Sequence, residues 1–282
     1  MTKFGPAGNS PLFYQSGGKT SAEVPAWLKS IGLNAYEYQC GRGVRIKEQT
    51  AKEIGDAARK YDIAVSIHAP YYINLVKEDR EALGKSQNHI MKSLYAASWM
   101  GASTVVFHPG GVGKMDRKEA LLLAQKNLEE TVNLIQQKGL SQIKLAPETM
   151  GKRNQLGTVE EVLALCQVAD NIVPTVDFAH LHAVSGGGLT AREHFEEIVD
   201  RVEAVLGMKV LKNLHVHFSP IEYTAGGEKR HRNLEDEGFG PDFSPLAEII
   251  KERNLSPTII CESSDRQAED AIKYMETLEK LQ

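Results

Sequence analysis

Cysteine is scarce in this chain: Cys40, Cys166 and Cys261 are the three among 282 residues, and none forms a CxxC pair. That excludes a disulfide-stapled scaffold and a cysteine-based metal knuckle, and it suits a reducing compartment. A run of about 18 apolar residues is missing, so no membrane span is expected. The opening Met-Thr-Lys-Phe-Gly-Pro-Ala-Gly lacks the apolar centre of a signal peptide. A cytoplasmic protein is therefore expected. A basic excess is missing too: 33 Lys and Arg stand against 37 Asp and Glu, a net charge of −4. This excludes a globally basic nucleic-acid coat but not local phosphate contacts, because steering depends on where charge sits. No GxGxxG opens a helix after the first apolar run, which weakens a dinucleotide site on an open sheet. No Pro/Ser-rich linker divides the chain.

What is present is alternation. Short apolar runs fall near 3–5, 34–39, 63–68, 103–108, 143–148, 172–177, 211–217 and 257–262. Most are rich in Val, Ile and aromatics, as buried parallel strands are. Between them, residues 47–60 and 116–138 carry apolar side chains at three- and four-residue steps, the helical period. Gly32, Gly101 and Gly139 stand just before the next run, where a left-handed residue closes a helix. Eight strand-helix units fit the length at roughly 35 residues each. The reading is an α/β fold, a TIM (β/α)8 barrel forming one domain over residues 1–282. The polar stretch at about 222–242 is too long for a passive connection and reads as an active-site loop. Ser185 to Gly188 reads as a second rim loop.

The chemistry lies in what ends the strands. Run three ends at His68, run four at His108, run five at Glu148 and run six at Asp177, with His180 three residues on. Run seven carries His215 and His217, and run eight ends at Glu262. In a barrel these positions converge on the C-terminal face, where active sites form. Each residue alone has a bland reading, such as a packed histidine or a helix-capping carboxylate. Six successive strand ends of this kind form a set, and clustered buried acids and imidazoles need cations between them. Mixed His and carboxylate donors suit zinc, and also manganese or iron. So many donors fit two or three ions, and a carboxylate can bridge a pair. His89 and His194 lie in helical segments and are set aside.

These stretches resemble the endonuclease IV family, zinc-dependent apurinic/apyrimidinic endonucleases on a TIM barrel. The resemblance rests on His68-Ala-Pro-Tyr71-Tyr-Ile-Asn74-Leu, His108-Pro-Gly, Glu148-Thr-Met-Gly, Asp177-Phe-Ala-His180, the strand with His215, and Glu262. It implies a first metal on His68, His108 and Glu148. Glu148 would bridge to a second held by Asp177, His215 and Glu262, and His180 and His231 would hold a third. The family's Asp-Arg-His triplet is here Lys229-Arg230-His231, so a lysine replaces a ligand. The expectation is a weak third site on His180 and His231, unless the loop shifts and Glu228 takes over. HVHFSPIEY stands where the family reads His-x-Asn-Asp, giving His217 the Asn position.

The resemblance also implies double-stranded DNA with abasic sites as partner, a monomer, and Glu148 and Glu262 as catalytic groups. Tyr71 and Asn74 would meet DNA at the rim, Tyr71 either filling the gap of a missing base or packing on Tyr72. Arg42 and Arg45, in a Gly-flanked basic loop, suit backbone phosphates. Two other readings stay open. A single-metal sugar isomerase or epimerase would need only Glu148, Asp177, His215 and Glu262, leaving His68, His108 and His180 surplus. A non-catalytic protein that binds damaged DNA would tolerate Lys229.

Overall fold

The computed structural model describes residues 1–281. Among the described residues ten strands occur: β1 Lys3–Pro6, β2 Ala35–Gln39, β3 Ala64–His68, β4 Thr104–Phe107, β5 Lys144–Pro147, β6 Thr175–Asp177, β7 His215–Phe218, β8 Ile221–Thr224, β9 Gly227–His231 and β10 Thr258–Cys261. Eight of them are parallel and build a barrel in two arcs, β1-β10-β7-β6 and β2-β3-β4-β5. The arcs join at two seams. At one, Ala7 bridges Glu37 and Gly8 N donates to Glu37 O at 2.8 Å. At the other, Leu145 bridges Ile172 and Glu148 bridges Thr175. The first seam requires a glycine, because a Cβ on Gly5 would lie 1.8 Å from Ala35 O. The chain is thus an α/β barrel of the TIM type, as its alternation predicts.

The helices follow the apolar period. Helix Glu48–Tyr61 buries Ala51, Ile54, Gly55 and Ala58, a stripe at three- and four-residue steps. Helix Arg117–Gln137 occupies the other segment with helical spacing. Gly101 closes helix Arg80–Met100 at φ 70°, and Gly32 and Gly139 also have positive φ, 86° and 67°. Two strands begin later than the apolar runs suggest. Val210 and Leu211 belong to a short helix, Met208–Lys212, so the seventh strand starts only at His215. The sixth starts at Thr175, after Pro174, whose ring denies the ladder a donor. No helix among the described residues is long and apolar enough to cross a membrane.

Two rim features frame the site. The 222–242 stretch is largely structured: β8 and β9 pair antiparallel as a hairpin standing over the barrel mouth. The loop after β5 supports it through the Lys152–Gly227 bridge and Arg153 N donating to Gly226 O. That loop is itself clamped. Thr158 and Glu161 form a capping box on helix Val159–Cys166. Arg117 donates to Glu161 and to the carbonyls of Arg153 and Gln155.

Candidate metal centre

The strand ends do converge. Glu148, fully buried at the end of β5, is the hub. Its Oε2 lies 3.1 Å from Nε2 of His68 and 3.1 Å from Nε2 of His108. Its Oε1 faces the other way, 3.0 Å from Nδ1 of His217 and 3.4 Å from Nδ1 of His180. One carboxylate thus presents an oxygen to each of two donor groups. Asp177 divides its oxygens as well. Oδ1 caps helix Phe178–Val184 by accepting from His180 N at 2.9 Å. Oδ2 is buried without a hydrogen bond and faces the centre, 3.1 Å from Nδ1 of His180. One oxygen of this strand-end aspartate thus caps a helix, and the other is left unpartnered toward the centre.

Among the described residues five groups of donors have their ligand atoms within 4.8 Å of one another; besides Glu37, His215 and His217, and His68, His217 and Glu262, three line the mouth: His68, His108 and Glu148; Glu148, Asp177, His217 and Glu262; and Asp177, His180, His231 and Glu262. They overlap through Glu148, Asp177 and Glu262. The imidazoles are oriented as metal ligands are. His68 Nδ1 lies 2.8 Å from Ala69 O, His180 Nδ1 lies 2.9 Å from Thr149 O, and His231 Nδ1 lies 2.7 Å from Ser219 Oγ. A carbonyl only accepts, so His68 and His180 donate Nδ1–H to these oxygens, which leaves Nε2 as the atom that could ligate once its proton is displaced. The orphaned Asp177 oxygen and the anchored imidazoles fit divalent cations.

One expected donor stands elsewhere. His215 sits one layer lower, at the start of β7, where its Nε2 donates to Glu37 Oε2 at 2.8 Å. The residue beside Asp177 is His217, which pairs with it in the β6–β7 register. The reason is strand geometry: positions 215 and 217 point the same way, and height in the barrel decides which reaches the mouth. The donor grouped with Glu148, Asp177 and Glu262 is thus His217, whereas His215, expected there, is grouped with Glu37 and His217.

The hairpin settles where Glu228 and Lys229 point. The register shifts between Glu222 and Tyr223, so Arg230 opposes Glu222 while Glu228 opposes Tyr223. Lys229 is the extra residue of a bulge, and a bulge breaks the alternation of faces. Glu228 and His231, three apart, consequently share the inner face, with side chains 17% and 21% exposed. Lys229 and Arg230 are 54% and 58% exposed and pair with Glu222. Glu228 Oε2 lies 3.6 Å from Nε2 of His180. The acid that faces the third donor group is therefore Glu228. On this geometry Glu228→Ala should remove one ion or weaken it about tenfold or more, while Lys229→Asp should leave metal content unchanged. Elemental analysis of both variants checks this, and a rise in metal content on Lys229→Asp would contradict it.

The rim residues are arranged less uniformly. Arg42 and Arg45 are exposed and make no ion pair among the described residues. Tyr71 is 59% exposed and meets Tyr72 edge-on, with centroids 5.3 Å apart. Tyr72 also packs on His89. Asn74 works inside the loops: Oδ1 accepts from Val76 N at 2.7 Å and Nδ2 donates to Gly111 O at 3.4 Å. It holds two rim loops together instead of reaching outward. His194 serves its own helix start, Nδ1 accepting from Ala191 N at 3.2 Å.

Charge in the cluster is strongly coupled. Burial opposes protonation of His68, but Glu148 beside it wins and lifts it to about 9. For His180 burial is likewise outweighed, by Asp177 and Glu148, and it too rises to about 9. Burial, partly offset by His180, lifts Asp177 to about 7, with repulsion from Glu262 and Glu148 adding to it. The carboxylates thus hold protons on imidazoles that a cation would need neutral. The sign follows: below about 9 an incoming dication must displace those protons, so affinity should rise with pH and level off above 9. The expected slope is about one order of magnitude per pH unit for each proton displaced. Zinc affinity by chelator competition from pH 6 to 9 measures it, and a flat profile would contradict the assignment of His68 and His180 as ligands.

Comparison with known proteins places this chain in a family. The profile of the xylose isomerase-like TIM barrel matches residues 25–281. An uncharacterized protein of Methanocaldococcus jannaschii is 34% identical over 254 residues, 90% of each chain. A probable endonuclease 4 of Acholeplasma laidlawii is 28% identical over 181 residues, covering 62% of this chain and 58% of that relative. Among solved structures, endonuclease IV of Thermus thermophilus superposes with a TM-score of 0.67 at 19% identity, over 92% of this chain and 94% of that one. A D-tagatose 3-epimerase-like protein superposes with a TM-score of 0.68 at 21% identity, over 88% of each. At such identities these two structures speak for the fold alone. With the profile spanning nearly all of the barrel, the chain belongs to the xylose isomerase-like TIM barrel family.

Proposed function

We propose that the protein is a metal-dependent phosphodiesterase that cuts double-stranded DNA on the 5′ side of abasic sites, as in base excision repair. The observation that carries this reading is the size and overlap of the donor set: three groups joined through Glu148, Asp177 and Glu262. That is room for two to three ions, zinc being the best match to His and carboxylate donors and manganese or iron the alternatives. Similarity to the endonuclease 4 relative points the same way.

Bound divalent ions would supply Lewis acidity to a phosphate and acidify water at neutral pH. His68 and His108 would hold the first ion, with Glu148 as the bridge. Asp177, His217 and Glu262 would hold the second, and His180, His231 and Glu228 the third. Glu262 would carry a second role in this reading, orienting the attacking water as an ionised acceptor, because its carboxyl is held below the usual range. Burial works against that, and His217 and His231 override it. In-line attack would leave a 3′-hydroxyl and a 5′-deoxyribose phosphate. At the rim, Tyr71 would fill the gap of the missing base, contact worth about 1–3 kcal/mol by truncation. Arg42 and Arg45 would meet backbone phosphates. The chain would act as a monomer, and its three buried free thiols suit the cytoplasm.

A single-metal sugar isomerase or epimerase is the second reading, favoured by the group Glu148, Asp177, His217 and Glu262 taken alone. The test is incision of an abasic duplex by protein purified without chelator, with metal counted in the same sample. Incision with two or three ions per chain supports the first reading. One ion and no incision would overturn it, and tight binding without turnover would leave a damage-binding protein.

A further inference from the structure

Beneath the metal centre lies a buried carboxylate that the proposed reaction does not use. Glu37 sits mid-strand in β2 and is fully buried. It reaches across the barrel to β7. Oε2 accepts from Ser66 Oγ at 2.8 Å and from His215 Nε2 at 2.8 Å, and Oε1 accepts from Gln39 Nε2 at 3.3 Å. Oε1 also lies 3.0 Å from Nε2 of His217, off the line of a hydrogen bond, and no other acceptor pairs with that nitrogen.

The two nitrogens of His217 therefore face different surroundings. Nδ1 faces Glu148 Oε1 at 3.0 Å and Glu262 Oε1 at 3.6 Å, within a donor group able to hold a cation. Nε2 faces a carboxylate already occupied by three donors at hydrogen-bond distances. Both nitrogens face carboxylates, and without a cation Nδ1 hydrogen-bonds Glu148 Oε1 at 3.0 Å; a cation held by that group would take the Nδ1 lone pair, which leaves the proton on Nε2 against Glu37, since a carboxylate only accepts. A buried carboxylate behind a ligating imidazole fixes the ring's tautomer and orientation and raises its basicity.

We propose that Glu37 is the positioning residue of the centre, held from below by His215 and Ser66 so that His217 presents Nδ1 to the metal ions. The proposal rests on the metal-centre reading above. It also gives His215 a role: a support for Glu37, and no ligand itself.

The test uses the full chain loaded with zinc. Long-range proton-nitrogen NMR of the wild type reads the His217 tautomer directly. A proton on Nε2 is expected, and a proton on Nδ1 would overturn the proposal whether or not any variant folds. Glu37→Gln offers an amide to Nε2 in place of the charge. With its melting temperature checked, it should bind zinc about 10–100-fold more weakly by chelator competition. Unchanged affinity in a folded Glu37→Gln would overturn it. So would loss of an ion on His215→Gln, which would make Glu37, His215 and His217 a metal site in their own right. A wild-type chain that takes up no zinc would overturn the metal reading itself, an outcome distinct from the others.

Discussion

Glu148→Gln should lose nearly all incision of abasic DNA and at least one bound ion, while the barrel still folds. The carboxylate touches both halves of the centre: His68 and His108 on one oxygen, His217 and His180 on the other. An amide keeps the shape but offers one neutral acceptor oxygen and a donor that turns its hydrogens toward the cations. Two dications would then face each other with less negative charge between them. Removing a single stabilising group from a preorganised site commonly lowers a rate by about 10²–10³. Loss of a bridge should reach the upper end, roughly 4 kcal/mol of barrier. Metal content and single-turnover incision on the same preparation decide it. Full metal content with a near-native rate would show that Glu148 bridges nothing.

His217→Gln and His215→Gln should behave as opposites although the residues stand two apart on one strand. His217 belongs to the donor group with Glu148, Asp177 and Glu262. Its loss should remove an ion and lower the rate by about two to three orders of magnitude. His215 donates to Glu37 and lies outside that group. A glutamine there can still donate, so both the ion count and most of the rate should survive. A destabilisation of about 1–3 kcal/mol is expected from the disturbed buried hydrogen bond. Equal loss of metal in the two variants would undo the distinction.

That contrast shows where sequence reasoning reached its limit. The barrel was legible because buried parallel strands and amphipathic helices have different periods, and these alternate eight times. His68, His108, Glu148, Asp177 and Glu262 were legible because a strand end is a local feature, and His180 follows one by three residues. The choice between His215 and His217 was not local. Both point into the barrel, and only the register against β6 and β10 sets their height. Glu228 was hidden by the bulge at Lys229, which changes the parity of the hairpin and cannot be inferred from residue types. Glu37 gave the weakest signal, a lone acid between Tyr36 and Tyr38. Its meaning comes from partners 29 to 180 positions away, Ser66, His215 and His217. The rim was partly legible: Arg42, Arg45 and Tyr71 are exposed, whereas Asn74 is engaged in holding loops together.

The central claim is that overlapping donor groups joined by Glu148 hold more than one metal ion. Anomalous scattering at the zinc edge, from crystals of zinc-loaded wild-type protein, tests it most directly. The account predicts at least two peaks, one flanked by His68, His108 and Glu148, the other by Glu148, Asp177, His217 and Glu262. A single peak, or one centred on His215 with none at His217, would contradict it.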